Sequence, residues 1–191
     1  SNYGNSQFGK NKKINIEFVS ANPTGPITIA HLRGAVLGDV LGSILEKSGY
    51  LVTREYYVND SGSQIDILAN SLYKRYQQLY NIEINIDANE YPGEYLIEIA
   101  KKIKDDYGDI WLEADKKNTN NFFKKFAIEN IIKDIVFDLN LLKIKFDIFS
   151  KESEIVNKNL IEEVFSILED KNLLYEGYLE KPIADDSENW E

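Results

Sequence analysis

The chain has 191 residues, with 22 basic and 32 acidic side chains, a formal net charge of -10 and no cysteine. That length supplies one ordinary core, or one domain with a sizeable insertion, and the missing thiols exclude a disulfide framework or a thiolate metal site. No apolar run reaches the roughly 20 residues that span a bilayer and no secretory-signal pattern opens the chain, so it reads as a soluble, cytoplasmic protein without a membrane partner.

Residues 14–19 alternate weakly and then run apolar, as a strand buried on at least one face does. A Pro/Gly-rich turn follows over residues 20–26 and opens into a helix from about Ile29 to Lys47. The expected apolar face of that helix is Val36, Leu37, Val40, Leu41, Ile44 and Leu45. Gly34, Gly38 and Gly42 recur every four residues along one side. Each costs about 1 kcal/mol against alanine in a helix interior. Close packing on a sheet explains the row, while ligand approach is the sharper reading for Gly34, nearest the helix start. Ser48-Gly49 ends the helix with a left-handed cap available. A second strand is expected over residues 50–58, rich in β-formers.

Strand, helix and strand at this spacing form a βαβ unit with parallel strands. Ligands of such sheets gather outside the carboxyl ends of the strands. Both punctuated turns, residues 20–26 and 59–64, lie at such ends. Further helices are expected over residues 65–79, 94–107 and 119–142, with Phe122, Phe123, Phe126, Ile131, Ile135 and Leu139 turned inward on the last. Residues 81–93 read as loop. A short strand is expected over 144–149, a helix over 153–171 and one strand of a hairpin over 173–179. The fold class is α/β with an α-rich middle. Residues 1–70 hold six basic and six acidic groups, so the whole negative excess lies in the later part. An anionic ligand must then be held by a local site rather than by bulk charge. The methionine-free start and the unclosed end, Ser187-Glu188-Asn189-Trp190-Glu191, read as a fragment.

His31 is the only histidine. A lone histidine is ordinarily structural or surface-exposed. This one follows a Pro/Gly turn at a helix N-terminus, where an imidazole can donate to a phosphate oxygen beside unpaired main-chain N–H groups. A His-based zinc site is excluded for want of a second histidine. The P-loop pattern and the dinucleotide G-x-G-x-x-G are both missing, which argues against kinase-like, GTPase-like and NAD-dependent chemistry.

Three strings carry a more specific signal. Glu17-Phe18-Val19-Ser20-Ala21-Asn22-Pro23-Thr24-Gly25-Pro26, His31-Leu32-Arg33-Gly34-Ala35-Val36-Leu37-Gly38-Asp39 and Tyr57-Val58-Asn59-Asp60-Ser61-Gly62-Ser63-Gln64 closely resemble bacterial arginyl-tRNA synthetase. The likeness continues more loosely through Phe146-Asp147-Ile148-Phe149-Ser150-Lys151-Glu152-Ser153 and Asn189-Trp190-Glu191. The resemblance implies the first half of a class I synthetase Rossmann-like nucleotide-binding fold with α-rich insertions. Residues 1–70 would be the first half of the catalytic domain, 71–142 an α-rich insertion, 143–152 a returning strand, and 153–191 a truncated second insertion of helix and hairpin.

It also implies an arginine–tRNA ligase, which joins arginine to ATP as arginyl-adenylate and passes the arginyl group to tRNA(Arg). Carried over by position, His31 and Thr28 would be catalytic. The ATP signature would comprise Ala21, Asn22, Pro23, Thr24, Gly25, Pro26, Ile27, Thr28, Ile29, Ala30, His31 and Gly34. Glu17 would pair with the arginine guanidinium, and Asn22 would hold the substrate's backbone groups, with Ser20 and Gln64 beside them. Gly62 would shape the neighbouring loop. ATP is then a substrate, Mg2+ is expected with it, and no structural metal is expected; tRNA would bind mainly through domains absent from this chain. The isolated chain is expected to be inactive because the second signature lies outside it.

Two departures stand out. Where the family has H-x-G-H this chain has Thr28-Ile29-Ala30-His31. Thr28 keeps a hydroxyl but no proton-linked charge; Ala30 adds a methyl where glycine lets adenine approach. These imply a re-tuned rather than an abolished site. They leave open a non-catalytic paralogue used for binding or regulation, and, further off, another nucleotidyltransferase of the same fold.

Overall fold

The computed structural model describes residues 3–177. They fall into two compact units, Ser1–Glu154 and Ile155–Glu191. The first is built on a three-stranded parallel sheet, β1 (Lys13–Glu17), β2 (Leu51–Val58) and β3 (Ile148–Lys151), in the spatial order β1-β2-β3. Helix α1 (Ile29–Lys47) connects β1 to β2. Helices α2 (Ser63–Gln78), α3 (Tyr95–Tyr107) and α4 (Lys116–Leu141) separate β2 from β3. The expected α/β class with an α-rich insertion is thus the observed one.

In the register, Glu17 lies opposite Glu55 and Glu55 opposite Ile148. Side chains alternate between faces with period two. One sheet face therefore carries Ile16, Phe18, Arg54, Tyr56 and Phe149, and the other carries Asn15, Glu17, Glu55, Tyr57 and Ser150. Helix α1 packs on the apolar face. It does so through Ala35, Gly38 and Gly42, its buried residues, whereas Val36, Leu37, Val40, Leu41 and Ile44 stand exposed, Leu37 at 71%. The expected apolar face is therefore not the packed face. The helix is apolar on nearly all sides, so the hydrophobic pattern does not say which side meets the sheet. Contact distance decides it. A Cβ on Gly38 would run into the Phe18 ring, and one on Gly42 would stand 2.9 Å from the Arg54 guanidinium. Arg54 passes under Gly42 to bond Glu46 at 2.6 and 3.2 Å and pair with Asp39 at 3.4 Å, pinning helix to strand.

The end of α1 takes the expected cap. Gly49 has φ +89°, its N–H donates to Glu46 O, and the Tyr50 N–H donates to Leu45 O, a Schellman arrangement. Residues 3–12 lie against this end, with Ser6, Gly9 and Asn11 N–H groups donating to Lys47, Ser48 and Gly49 carbonyls.

Tyr76, Leu96, Ile99, Phe123, Ile135 and Leu139 form one continuous core with Phe18, Tyr56 and Val58. Of the aromatic residues expected inside α4, Phe123 is buried, while Phe122 and Phe126 are half-buried; Phe122 stacks on Trp111 at 4.1 Å. α4 starts three residues earlier than its apolar periodicity shows, because the Asp115 side chain caps it by accepting from the Lys117 and Asn118 N–H groups. β3 starts later than expected. Lys143 takes φ +63° and the Ile144 N–H donates to Leu139 O, so Ile144 belongs to the α4 cap rather than to a strand.

The expected single helix over 153–171 is two, α5 (Glu152–Asn157) and α6 (Leu160–Asp170), broken where Asn159 takes φ +54°. In the second unit α6 exposes Val164, Phe165 and Ile167. Residues 173–177 form no strand; the remaining two residues of the expected hairpin strand, 178 and 179, and the closing 187–191 lie outside the described residues.

Gly38→Ala and Gly34→Ala separate packing from open space on one helix. Overpacking against Phe18 of about 1–3 kcal/mol outweighs a propensity gain of about 1 kcal/mol, so urea unfolding of Gly38→Ala should show a lowered midpoint. At Gly34 nothing lies within 4 Å of where a Cβ would stand, so Gly34→Ala should unfold at an equal or higher urea concentration.

Candidate functional site

Two turns converge beyond the carboxyl ends of β1 and β2. In the first, Val19 and Ser20 take φ +64° and +40°, a conformation that side chains with a Cβ rarely adopt and that a β-branched residue resists. The surroundings hold them there. Ser20 Oγ accepts the Tyr57 N–H at 3.0 Å, and the buried Tyr56 hydroxyl donates to Ala21 O at 2.9 Å. Farther along, the Tyr95 hydroxyl donates to Thr24 O from α3. The hydroxyl and ring of Tyr95 also lie 3.3–3.6 Å from where a Cβ on Gly25 would stand. The signature turn is thus braced by three tyrosines, two from β2 and one from α3.

The second turn, residues 59–64, bends at Gly62, whose φ of +89° suits glycine, and starts α2. Asn22 Nδ2 reaches Gln64 Oε1 at 3.4 Å across the gap between the turns. Asn22, Thr24, Asn59, Ser61, Gly62 and Gln64 line a cleft of about 190 Å³ there. Asn22 and Gln64, both expected to hold the substrate, are therefore neighbours, whereas Ser20 is bonded to the Tyr57 main chain and is not among the residues that line this cleft.

Thr28 is the extended N-cap of α1 and His31 its third residue. The Thr28 N–H donates to His31 Nδ1 at 3.0 Å, and Thr28 Oγ1 lies 3.1 Å from the same nitrogen. This is the capping-box arrangement with an imidazole in place of the usual Glu or Gln. Ile29 and Ala30 are exposed in the first turn, and no side chain or backbone fills the space over Gly34. The close packing expected of the Gly row holds at Gly38 and Gly42 but not at Gly34, which faces open space.

Glu17 sits on the polar sheet face beside Glu55. Hydrogen bonds from Ser150 and then Asn15 hold the Glu55 carboxyl below the usual carboxylate range. Around Tyr57 the field is negative. Burial and then Glu152, Asp60 and Glu17 push its phenol up. Glu152 accepts from the Tyr57 hydroxyl at 3.3 Å and from Ser61 Oγ, and with its amide turned to face the acceptors Asn59 donates to Glu152 at 3.1 Å. Asp60 accepts from the Ser153 N–H at 2.8 Å and from Ser153 Oγ at 2.7 Å.

The sequence pattern alone assigns no role to Tyr57, Asp60, Glu152 or Ser153. They tie the second turn to the start of α5 and add carboxylates to the site. Two separate strings of sequence contain them, and only the sheet order places those strings side by side. Among the described residues no group of three or more His, Cys, Asp or Glu side chains could hold a metal, and no helix is long and apolar enough to cross a membrane.

The geometry has a match among known proteins. The family model for tRNA synthetases class I (R), catalytic domain, matches residues 1–179. The chain belongs to this family. The arginine–tRNA ligase of Wolbachia pipientis wMel is 48% identical over 188 residues, which are 98% of this chain and 33% of that protein. The arginine–tRNA ligase of Orientia tsutsugamushi is 46% identical over 187 residues, 97% of this chain and 32% of that protein. A crystal structure from Campylobacter jejuni named as an arginyl-tRNA synthetase superposes with a TM-score of 0.81 at 29% identity, covering 92% of this chain and 38% of that one. The synthetase chain spans about a third of the length of the curated relatives it matches.

Tyr56 offers a check on how the signature turn of this synthetase domain is held. Burial keeps its phenol neutral, pushed up to about 12, against about 10 in an unfolded chain. Its folded value is raised, so the stability it contributes is complete below pH 10 and is lost as pH rises from about 10 to 12. Tyr56→Phe should cost about 1–3 kcal/mol at neutral pH, because Ala21 O loses its donor. In denaturation followed by circular dichroism, the variant should also lose less stability than the wild type between pH 10 and 12.

Proposed function

We propose that this region binds arginine and ATP in an arginine–tRNA ligase, and that the complete polypeptide forms arginyl-adenylate and transfers the arginyl group to tRNA(Arg). The observation that carries the reading is the asymmetry of the site. Glu17, Asp60 and Glu152 surround Tyr57 on one side, while a helix N-terminus with His31 stands at the other turn. A guanidinium offers five fixed N–H donors and a permanent positive charge, which matches the carboxylate side. Phosphates match the helix N-terminus, whose unpaired N–H groups and partial positive charge favour anions.

Arginine would place its guanidinium toward Glu17 and its α-amino and carboxylate groups between Ser20, Asn22 and Gln64. The carboxylate oxygen then attacks the α-phosphorus, the bond to the bridging oxygen breaks, and pyrophosphate leaves. Catalysis lies chiefly in holding the reactants in line and in donors aimed at the oxygens that gain charge. Residues Ala21 to His31 and Gly34 would form the ATP side, and the open space over Gly34 leaves room for a nucleotide to lie against the helix. Mg2+ would arrive with ATP and neutralise phosphate charge. Thr28 and Ala30, which replace the family's His and Gly, preserve the helix start and the contact to His31.

Arginine- and tRNA-dependent ATP–pyrophosphate exchange by the complete polypeptide tests the reading. His31→Ala should lower the exchange rate by about 10²–10³-fold, the usual loss for one phosphate or oxyanion donor. Glu17→Gln should raise the KM for arginine by about 10–100-fold, since a charge-assisted bond of about 1.5–3 kcal/mol is lost, with a smaller effect on the KM for ATP. Unaltered exchange in either variant removes that residue's assigned role.

A further inference from the structure

The contact between Thr28 and His31 fixes more than the helix start. A main-chain N–H can only donate, so the nitrogen it meets must offer a lone pair. At 3.0 Å from the Thr28 nitrogen, His31 Nδ1 is that acceptor. A neutral imidazole carries one proton on its two nitrogens, so the proton is on Nε2.

We propose that Thr28 is a positioning residue: its main-chain N–H locks His31 in the Nε2–H tautomer and so aims a single hydrogen-bond donor out of the capped turn toward an anion. The Thr28 hydroxyl, 3.1 Å from Nδ1, crowds the same lone pair from the side and limits rotation of the ring. The acceptor side of the imidazole is occupied within the fold, and the side left for a ligand is a donor. His31 therefore meets phosphate oxygen with an N–H and has no lone pair available as a general base.

This also gives the Thr28 substitution a physical meaning. The family's imidazole at this position is replaced by a short side chain at an N-cap, a site that threonine suits. The cap, in turn, orders the histidine that remains. The donor's target rests on the ATP reading given above; the tautomer rests only on the geometry.

The chain's single histidine makes the tautomer directly readable. Uniformly ¹⁵N-labelled protein at about pH 8.5, where an ordinary imidazole is neutral, should give one imidazole spin system. Nε2 should be protonated, Nδ1 should be of the unprotonated type, and a coupling across the hydrogen bond should link Nδ1 to the Thr28 amide nitrogen. A protonated Nδ1, or averaging between tautomers without that coupling, overturns the lock and leaves the arginine–ATP reading untouched.

His31→Gln and His31→Glu supply the functional arm in the complete polypeptide. Either side chain can accept the Thr28 N–H in an ordinary capping box, so both variants should unfold at closely similar temperatures. Only glutamine keeps an outward N–H donor. Pyrophosphate exchange should fall about 10²–10³-fold with glutamate and recover at least about tenfold of that loss with glutamine. Equal exchange in the two variants overturns the donor role. For Thr28 itself, Thr28→Ala should broaden the imidazole signals by freeing the ring, and Thr28→Ser should restore them. No exchange by the wild type would instead sink the ligase reading while the tautomer result stood.

Discussion

The approach of α1 to the sheet at Gly38 and Gly42 sets the geometry of everything at the strand ends. The helix axis lies close enough to β1 and β2 that a single methyl at Gly38 would enter the Phe18 ring. Arg54, threaded beneath Gly42 to Glu46 and Asp39, fixes the helix along its length as well as in height. With the helix held at both points, its N-terminus is delivered to the turn after β1 without adjustable length. The strained φ values of Val19 and Ser20 are the local cost of turning the chain so sharply from strand into signature. Tyrosines 56, 57 and 95 provide the bonds that keep that conformation.

Electrostatics then divides the site. The polar face of the sheet, with Glu17 and Glu55 in register, would be unusual on a parallel sheet with two helical coats. Here the apolar face packs against α1 and continues into the core of the insertion, while the other face carries Asn15, Glu17, Glu55, Tyr57 and Ser150. The carboxylate bonded to Ser61 and Tyr57, and the one bonded to Ser153, come from opposite sides of the insertion. Helices α2–α4 lie between these segments in the chain, and β2–β3 pairing returns them to one place. The insertion therefore serves the site by closing a long loop whose two ends must meet.

Much of this was legible from residues alone, and for physical reasons. The bounds of α1, its glycine cap and the convergence of two turns at the strand ends follow from local rules for termini and parallel strands. The orientation of α1 did not follow, because a helix apolar nearly all round carries no directional signal. Only the glycine row did, and its bland interpretation identified the packed side. The late start of β3 was hidden because Ile144, Phe146 and Ile148 alternate as a strand would, although Ile144 is spent on capping α4. The role of Glu152 was hidden for another reason. A long-range carboxylate partner has no local signature, and it emerges only when β3 pairs beside β2.

The register of Glu17 against Glu55, with Asp60 and Glu152 nearby, has a thermodynamic side. Folding brings Glu17 beside Glu55 and gathers Glu17, Asp60 and Glu152 around the Tyr57 phenol. A cationic group seated among them would be bound by the native state alone, because the unfolded chain keeps the carboxylates apart. Occupancy is therefore coupled to conformational stability by mass action. A ligand bound there would in this way reinforce the same strands that present the site.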